Sequence, residues 1–422
     1  MKFKNLMIPT RTTSLKLATL LAASLVFSGH SLADSARDDE ALSRLSGAAA
    51  FRQFIDDMRP IARKKGVSAQ IYRQATRGLK VNPKVLKLAS RQPEFNIPVW
   101  QYLETRVSAK RITTGRKMKA RHASRLAAIE KRYGVDRHIL LAIWGMESNY
   151  GSYKGNLSII RSLATLGFQG RRAKFGRQQF VAALQILQRG DIPLNKFTGS
   201  WAGAMGHTQF IPTTYNGYAV DWTGDGKRDI WNSVSDALAS SANYLSKSGW
   251  KPTRPWGWEV KLPKGFDYRK VGPAGKRTTK KWKKIGVKPA RGKYFGTDDE
   301  IARLILPAGT KGPAFLVTEN FKAILAYNNS VSYALAVAHL ADRIAGRGGF
   351  KGKWPTRDKP LSSDQRREIQ SLLAARGFDP GSRSGYFGRK TLAAIRAYQK
   401  KAGLAPDGYA DHKLLNHLRK KP

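Results

Sequence analysis

Cysteine is absent from this 422-residue chain. Its absence excludes any disulfide and any lipid-modified cysteine, and it suits an oxidising compartment in which stray thiols are a hazard. Long apolar runs are missing as well. Leu17–Phe27 is an apolar stretch too short to span a bilayer, and no longer one follows it. Lys2, Lys4, Arg11 and Lys16 supply positive charge around its start, and Ser31-Leu32-Ala33 offers a small-residue cleavage site behind it. That pattern reads as a secretory leader over residues 1–33, with the mature chain beginning at Asp34 and no transmembrane segment left after cleavage. The expected address is the periplasm. The sequence also shows no internal repeat and no low-complexity tract.

Acidic residues are scarce: 29 Asp and Glu stand against 76 Lys and Arg, for a formal net charge of +47. The four basic residues of the leader account for only a small part of that excess, so a polyanionic partner is expected. Nucleic acid is the usual first candidate. Export argues against it, and no nucleic-acid motif accompanies the charge. Anionic polymers of the envelope and the peptide carboxylates of a cell wall fit the address better; solubility without a specific partner is the plain alternative. With 41% apolar residues, the chain can bury a sizeable core and is expected to hold two domains.

Most of what is present has helical periodicity. One long basic helix is expected from Arg106 to Arg132, and further helices at Leu157–Leu166, Ala173–Gln188, Ser235–Lys247 and Tyr333–Ile344. Trp256–Leu262 and Ala314–Thr318 read as strands. Between them, Lys261–Lys293 carries thirteen basic residues and one acidic residue, Asp267. Tyr268 and Trp282 within it argue for a surface subdomain; such a run is by default a solvated face, with the wall of a groove for an anionic glycan as its alternative. Arg347–Pro360 reads as a linker, after which helical patterns at Ser363–Ala375 and Thr391–Ala402 flank a turn at Gly377–Gly388.

The chemistry centres on Glu147, in the run Leu140-Leu141-Ala142-Ile143-Trp144-Gly145-Met146-Glu147-Ser148-Asn149-Tyr150-Gly151. At helical spacing Leu140, Ile143 and Glu147 share one face, so the carboxylate continues an apolar stripe. A charge there is costly unless paired, which should push its pKa upward and suit it to general-acid work. A helix-end Glu turned to solvent is the structural alternative. A second segment, Gly199–Pro212, combines small residues with Ser200 and Gln209, which can hydrogen-bond a sugar amide or hydroxyl; tight helix packing would use the same small residues. A third, Ala326–Tyr333, is an aromatic-amide turn suited to pyranose rings, or a plain turn leading into a capped helix.

In order and in length, these segments resemble the lytic murein transglycosylase B family over roughly residues 51–347. The resemblance implies a mainly α fold: a lysozyme-like helical catalytic domain at 34–346 with a small β-containing subdomain. It implies Glu147 as the sole catalytic acid/base, with Ser200, Gln209, Tyr244, Tyr327, Asn328 and Tyr333 lining the cleft. Arg171 and Arg172 match a basic pair that contacts substrate in the family, although the loop before them is one residue shorter. The implied reaction cleaves the bond between N-acetylmuramic acid and N-acetylglucosamine in peptidoglycan glycan strands, leaves a 1,6-anhydro end, and requires no cofactor.

Asp221-Trp222-Thr223-Gly224-Asp225-Gly226-Lys227-Arg228-Asp229 follows an EF-hand loop, with oxygen ligands at Asp221, Thr223 and Asp225, Gly226 at the sixth position and the Lys227 carbonyl at the seventh. Asn232 stands where a bidentate Glu is usual. On the family pattern Asp236 would supply that ligand after a one-residue insertion, making a structural calcium site; a hydrogen-bonded Asx turn is the alternative. His207 reads as a cleft or packing residue, since no second His lies near it at ligand spacing. The segment 361–422 resembles a three-helix peptidoglycan-binding domain through Gly385-Tyr386-Phe387-Gly388-Arg389-Lys390-Thr391 and the Tyr398-Gln399 pair, with Ser384 where the pattern usually has Asp. Two other readings stay open at this level: a muramidase that uses water, and a wall-binding scaffold with a degenerate site.

Overall fold

The computed structural model describes residues 32–90 and 97–420. The expected leader lies outside them save for its last two positions. By their contacts the residues fall into two units, 1–50 and 51–422. The described part of the first is the start of a helix, Leu32–Lys64, and everything below concerns the second.

Most of that unit is helix. Two apolar cores organise it. In one, Leu140, Ile143 and Trp144 of the helix Arg137–Ser148 pack against Leu335, Ala338 and Ile344 of the helix Val331–Ile344. In the other, Ile160 and Leu163 of Ile159–Phe168 meet Phe180 and Leu184 of Ala173–Arg189. This second pair touches backbone to backbone, since a Cβ on Gly176 would lie 2.3 Å from the Gly167 nitrogen. Helix starts follow local chemistry: the side chains of Asp136, Ser158, Ser233 and Ser330 each accept a hydrogen bond from a first-turn N–H.

Three local expectations change. The basic run from Arg106 to Arg132 is not one helix: Arg106 closes the helix Val99–Arg106, and two more follow, Ala109–Arg121 and Ala123–Tyr133. Ser108 restarts the chain by capping the Arg111 N–H, and His122 breaks it again at φ −116°, its ring edge-on to Trp144 with centroids 5.6 Å apart. Neither break needs Pro or Gly; tertiary packing overrides the propensity of the run. Leu157 and Ser158 do not open a helix either. They form a two-residue strand, β1, antiparallel to β2 (Thr198–Gly199), and the helix starts at Ile159.

The basic stretch folds. Strands β3 (Gly257–Lys261), β4 (Arg277–Thr278), β5 (Lys288–Pro289), β6 (Ile301–Ile305) and β7 (Ala314–Val317) make an antiparallel sheet in the order β4-β6-β7-β3-β5. β6 was not expected. Its inward residues Ala302 and Leu304 alternate with Ile301, Arg303 and Ile305, a pattern that does not separate polar from apolar cleanly. A short helix, Thr279–Lys284, presses the fully buried Trp282 into this subdomain, where the indole N–H donates to the Ala302 carbonyl at 3.1 Å and the Arg277 guanidinium sits 4.8 Å above the ring.

The stretch 347–360, expected as a linker, is anchored at several points although many of its residues are exposed. Phe350 stacks on His339 at 4.0 Å, Trp354 lies 6.2 Å from Phe315, and Glu259 accepts the Lys351 N–H at 2.7 Å. Beyond it the helices Ser363–Ala375, Arg389–Lys401 and His412–Lys420 enclose a separate core of Ile369, Leu373, Ile395 and Leu415. Ser362 and Gln365 form a capping box at its entry. This module rests on the subdomain: Lys311 reaches Asp358 at 2.9 Å and Asp411 at 3.1 Å, and Asp407 accepts the Thr310 N–H.

Candidate active site

Glu147 ends its helix against a backbone that turns left-handed for three residues, Asn149 (φ 49°), Tyr150 (φ 60°) and Gly151 (φ 85°). Only Gly adopts that region freely, so the turn stores strain and must be held from outside. Ser148 and His207 hold it. The Ser148 hydroxyl donates to the His207 carbonyl at 2.5 Å and accepts the Gly151 N–H at 2.9 Å. The Trp144 indole donates to His207 Nδ1 at 3.0 Å, and a Cβ on Gly151 would collide with the His207 ring at 2.3 Å. His207 is therefore a packing residue. Burial, aided by Lys154, pushes its pKa down to about 4, which keeps it neutral as an acceptor.

Glu147 itself is half-buried. Loss of solvation raises its pKa to about 7; the Tyr333 hydroxyl, donating to Oε1 at 2.5 Å, and the more distant Arg106 charge oppose the rise. The result is a carboxyl group near half-protonation at neutral pH, able to give up a proton and take one back.

Tyr333 is buried and starts one turn into its helix, where Ser330 accepts its backbone N–H. Beside it, Tyr327 donates to the Thr208 carbonyl at 2.7 Å, leaving Ser241, 3.2 Å away, as a donor to the phenol oxygen. Burial and the Glu147 charge raise both phenols well above their usual pKa, so both remain hydroxyl donors. Gln209 adopts φ 53°, a second strained non-glycine residue by the cleft, and its amide donates to the Gly206 and Lys154 carbonyls. Tyr244 lies edge-on to Tyr327 at 5.3 Å and donates to the Ala326 carbonyl. Gln209, Phe210, Ile211, Thr214, Tyr244 and Tyr327 line a pocket of about 280 Å³. Larger hollows of about 360, 370 and 390 Å³ exist; Glu147 lines none of them, nor the 280 Å³ pocket.

The remaining candidates are spread more widely. Ser200 is half-buried, and its hydroxyl accepts the Ala204 N–H. Asn328 is exposed at the end of the helix Glu319–Tyr327. Arg171 is exposed, whereas Arg172 lies over the rings of Trp201 at 5.3 Å and Phe175 at 5.7 Å. Sequence reading passed over Ser148, Trp201, Thr208, Ser241 and Arg106. Ser148 and Trp201 stood inside quoted motifs, but nothing local marks Arg106 as a charge that acts on Glu147.

Among the described residues the loop from Asp221 to Asp236 is tied by hydrogen bonds to its own backbone. Among the described residues no three acidic or histidine side chains gather where they could hold a metal. Asp221 accepts the Gly224 and Gly226 N–H groups, Asp225 the Lys227 N–H, and Asp229 the Trp231 and Asn232 N–H groups. Asp236 is fully enclosed and spends both oxygens on the Trp222, Thr223 and Asp229 N–H groups. The five residues Asp221, Thr223, Asp225, Lys227 and Asp236 thus serve a loop tied by its own backbone, nearer the Asx-turn alternative.

A strained helix end carries one raised carboxyl under buried phenols in a mainly helical fold of lysozyme-like architecture. The chain belongs to the family described as the transglycosylase SLT domain, whose model matches residues 50–342, and a peptidoglycan binding domain model matches 362–418. Among solved structures it is similar to SltB3 from Pseudomonas aeruginosa in complex with NAG-anhNAM-pentapeptide: 51% identity, TM-score 0.84, covering 87% of this chain and 99% of that one. It is also similar to the lytic transglycosylase Slt35 of Escherichia coli in complex with calcium, at 28% identity and TM-score 0.59, over 71% of this chain and 93% of that one. The membrane-bound lytic murein transglycosylase B of Escherichia coli K12 is 35% identical over 220 residues, 50% of this chain and 58% of the relative. The chain thus matches little more than half the length of that curated relative.

Proposed function

We propose that this protein is a lytic transglycosylase of peptidoglycan that acts in the periplasm, with residues 34–346 as the catalytic domain and 361–422 as the wall-binding module. The observation that carries the reading is the Glu147 carboxyl group at a strained helix end, raised to about 7 by burial and hydrogen-bonded by the Tyr333 hydroxyl at 2.5 Å. Water-using glycosidases place a second carboxylate at about 5–5.5 Å or 6.5–9.5 Å from the first, to serve as nucleophile or base.

In the proposed reaction, protonated Glu147 gives its proton to the oxygen linking muramic acid C1 to N-acetylglucosamine. The C1–O bond breaks and the glucosamine end leaves as an alcohol. The muramyl N-acetyl carbonyl supports the cationic C1. Glu147, now a carboxylate, removes the proton of the muramyl 6-hydroxyl, whose oxygen closes on C1 as the 1,6-anhydro ring. Water is not consumed and Glu147 ends protonated. Tyr333 orients the carboxyl and steadies its charged form, while Ser200, Gln209, Tyr244, Tyr327, Asn328, Arg171 and Arg172 hold the strand. No cation has a step in this scheme, and we propose that the Asp221–Asp236 loop needs none to fold.

Digestion of purified wall by the protein and by Glu147→Gln, read by mass spectrometry of the products, tests the reading. Anhydro ends from the unmodified protein alone are expected. Reducing ends would make it a hydrolytic muramidase. Wall retention without release by either protein would leave a scaffold.

A further inference from the structure

The proposed reaction leaves one feature unused: the charge of the β-subdomain. Lys261 on β3 and Lys288 on β5 are direct partners across the antiparallel pair, both exposed, and therefore on one face of the sheet. Like charges placed so oppose each other. Pro263, next in line to Lys264, packs on Gly286 in the turn that leaves the helix Thr279–Lys284. The Val287 N–H donates back to the Trp282 carbonyl, so this helix and β5 form one corner. With Trp282 buried, Lys280, Lys281 and Lys284 all face outward from the helix.

Six lysines, 261, 264, 280, 281, 284 and 288, thus crowd one end of the subdomain. The local carboxylates are engaged elsewhere: Asp298 by Lys283, and Asp267 by Arg269 and Lys270. Among the described residues none of the six forms an ion pair. Guarding an exposed sheet edge accounts for Lys288, since β5 is an edge strand, but not for the other five. Self-repulsion of this kind is relieved when a polyanion supplies the missing charge.

We propose that this lysine corner is a second wall-contact surface, which binds the stem-peptide carboxylates of peptidoglycan. The inference rests on peptidoglycan as the substrate. A flexible, multiply carboxylated polymer suits flexible ammonium groups, which act as point charges and require no fixed geometry. Contact at this corner, added to that of the C-terminal module, raises the time spent on the wall without touching Glu147.

The test compares the full chain with Lys261→Ser/Lys264→Ser/Lys281→Ser/Lys284→Ser, all exposed positions, after matched thermal unfolding shows that both are folded. Retention on insoluble sacculi is measured against sodium chloride concentration, alongside turnover of a short soluble glycan. The expected result is about tenfold weaker retention of the variant at low salt, a shallower salt dependence, and unchanged soluble turnover. Equal retention of both proteins overturns the proposal, as does undiminished binding to sacculi whose carboxylates have been amidated. Lysine-dependent binding to anionic phospholipid vesicles, with none to sacculi, would overturn it in favour of a lipid surface. If soluble glycan yields no anhydro product, the enzymatic reading fails, while the retention arms still decide the corner.

Discussion

Two carboxylate regions sit in one fold and are treated in opposite ways. At the cleft, Glu147 has lost most of its water and received one hydroxyl donor in return, so its proton is held up to about 7. In the Asp221 loop, desolvation is outweighed by the combined N–H groups of Gly226, Gly224 and Asp225 and the Thr223 hydroxyl, and the carboxyl of Asp221 is held below its usual range. The contrast shows that a count of donors, set against loss of solvent, decides whether a carboxyl serves as a reversible acid or as a fixed anchor. Asp236 lies between these cases: burial raises its pKa despite three N–H donors, and it acts only as a clasp.

That comparison can be tested from its largest effect downward. If Glu147 must be protonated to act, kcat/KM falls about tenfold per pH unit above 7. Tyr333→Phe removes a donor that favours the charged form, so the falling limb should move up, by about one unit. A limb that stays in place would detach Tyr333 from Glu147. In the loop, Asp236→Ala strands three backbone N–H groups and should cost about 3 kcal/mol in urea unfolding, with only part of it restored by Asn, whose amide nitrogen cannot replace the second acceptor.

Smaller effects follow from linkage. Because Glu147 has a raised pKa in the folded state, its proton favours folding below about 4.5, and that contribution is lost as pH rises to about 7. Glu147→Gln should therefore be more stable than the unmodified protein at pH 8, by about 1–3 kcal/mol, and no more stable at pH 4. Equal stabilities at pH 8 would place the carboxyl in solvent. Chelation with EDTA should shift Tm by less than about 1 °C, and calcium in excess should do no more. A calcium-dependent rise of several degrees would show that the loop rearranges into a cation site.

Much of this was legible locally. Ser362 and Gln365 announce their capping box, Gly385–Thr391 the turn of the module, and the Leu140-Ile143-Glu147 spacing sets a carboxyl on an apolar face. Where local signals were ambiguous, distant partners decided. The helix expected across Arg106–Arg132 is divided at Ser108 and at His122, which packs on Trp144, and the surface subdomain expected of the basic run gathers around Trp282.

The sequence by itself determined the helical texture, the order of the motifs, the charge and the place of Glu147 on an apolar helix face, because caps, periodicity and residue type act over a few neighbouring positions. Only the tertiary structure decided that Tyr333, 186 residues further on, would meet Glu147, that His207 would brace its strained turn, and that residues 347–360 would be anchored rather than free. Those outcomes depend on burial, which is non-directional and brings together residues that no local pattern connects.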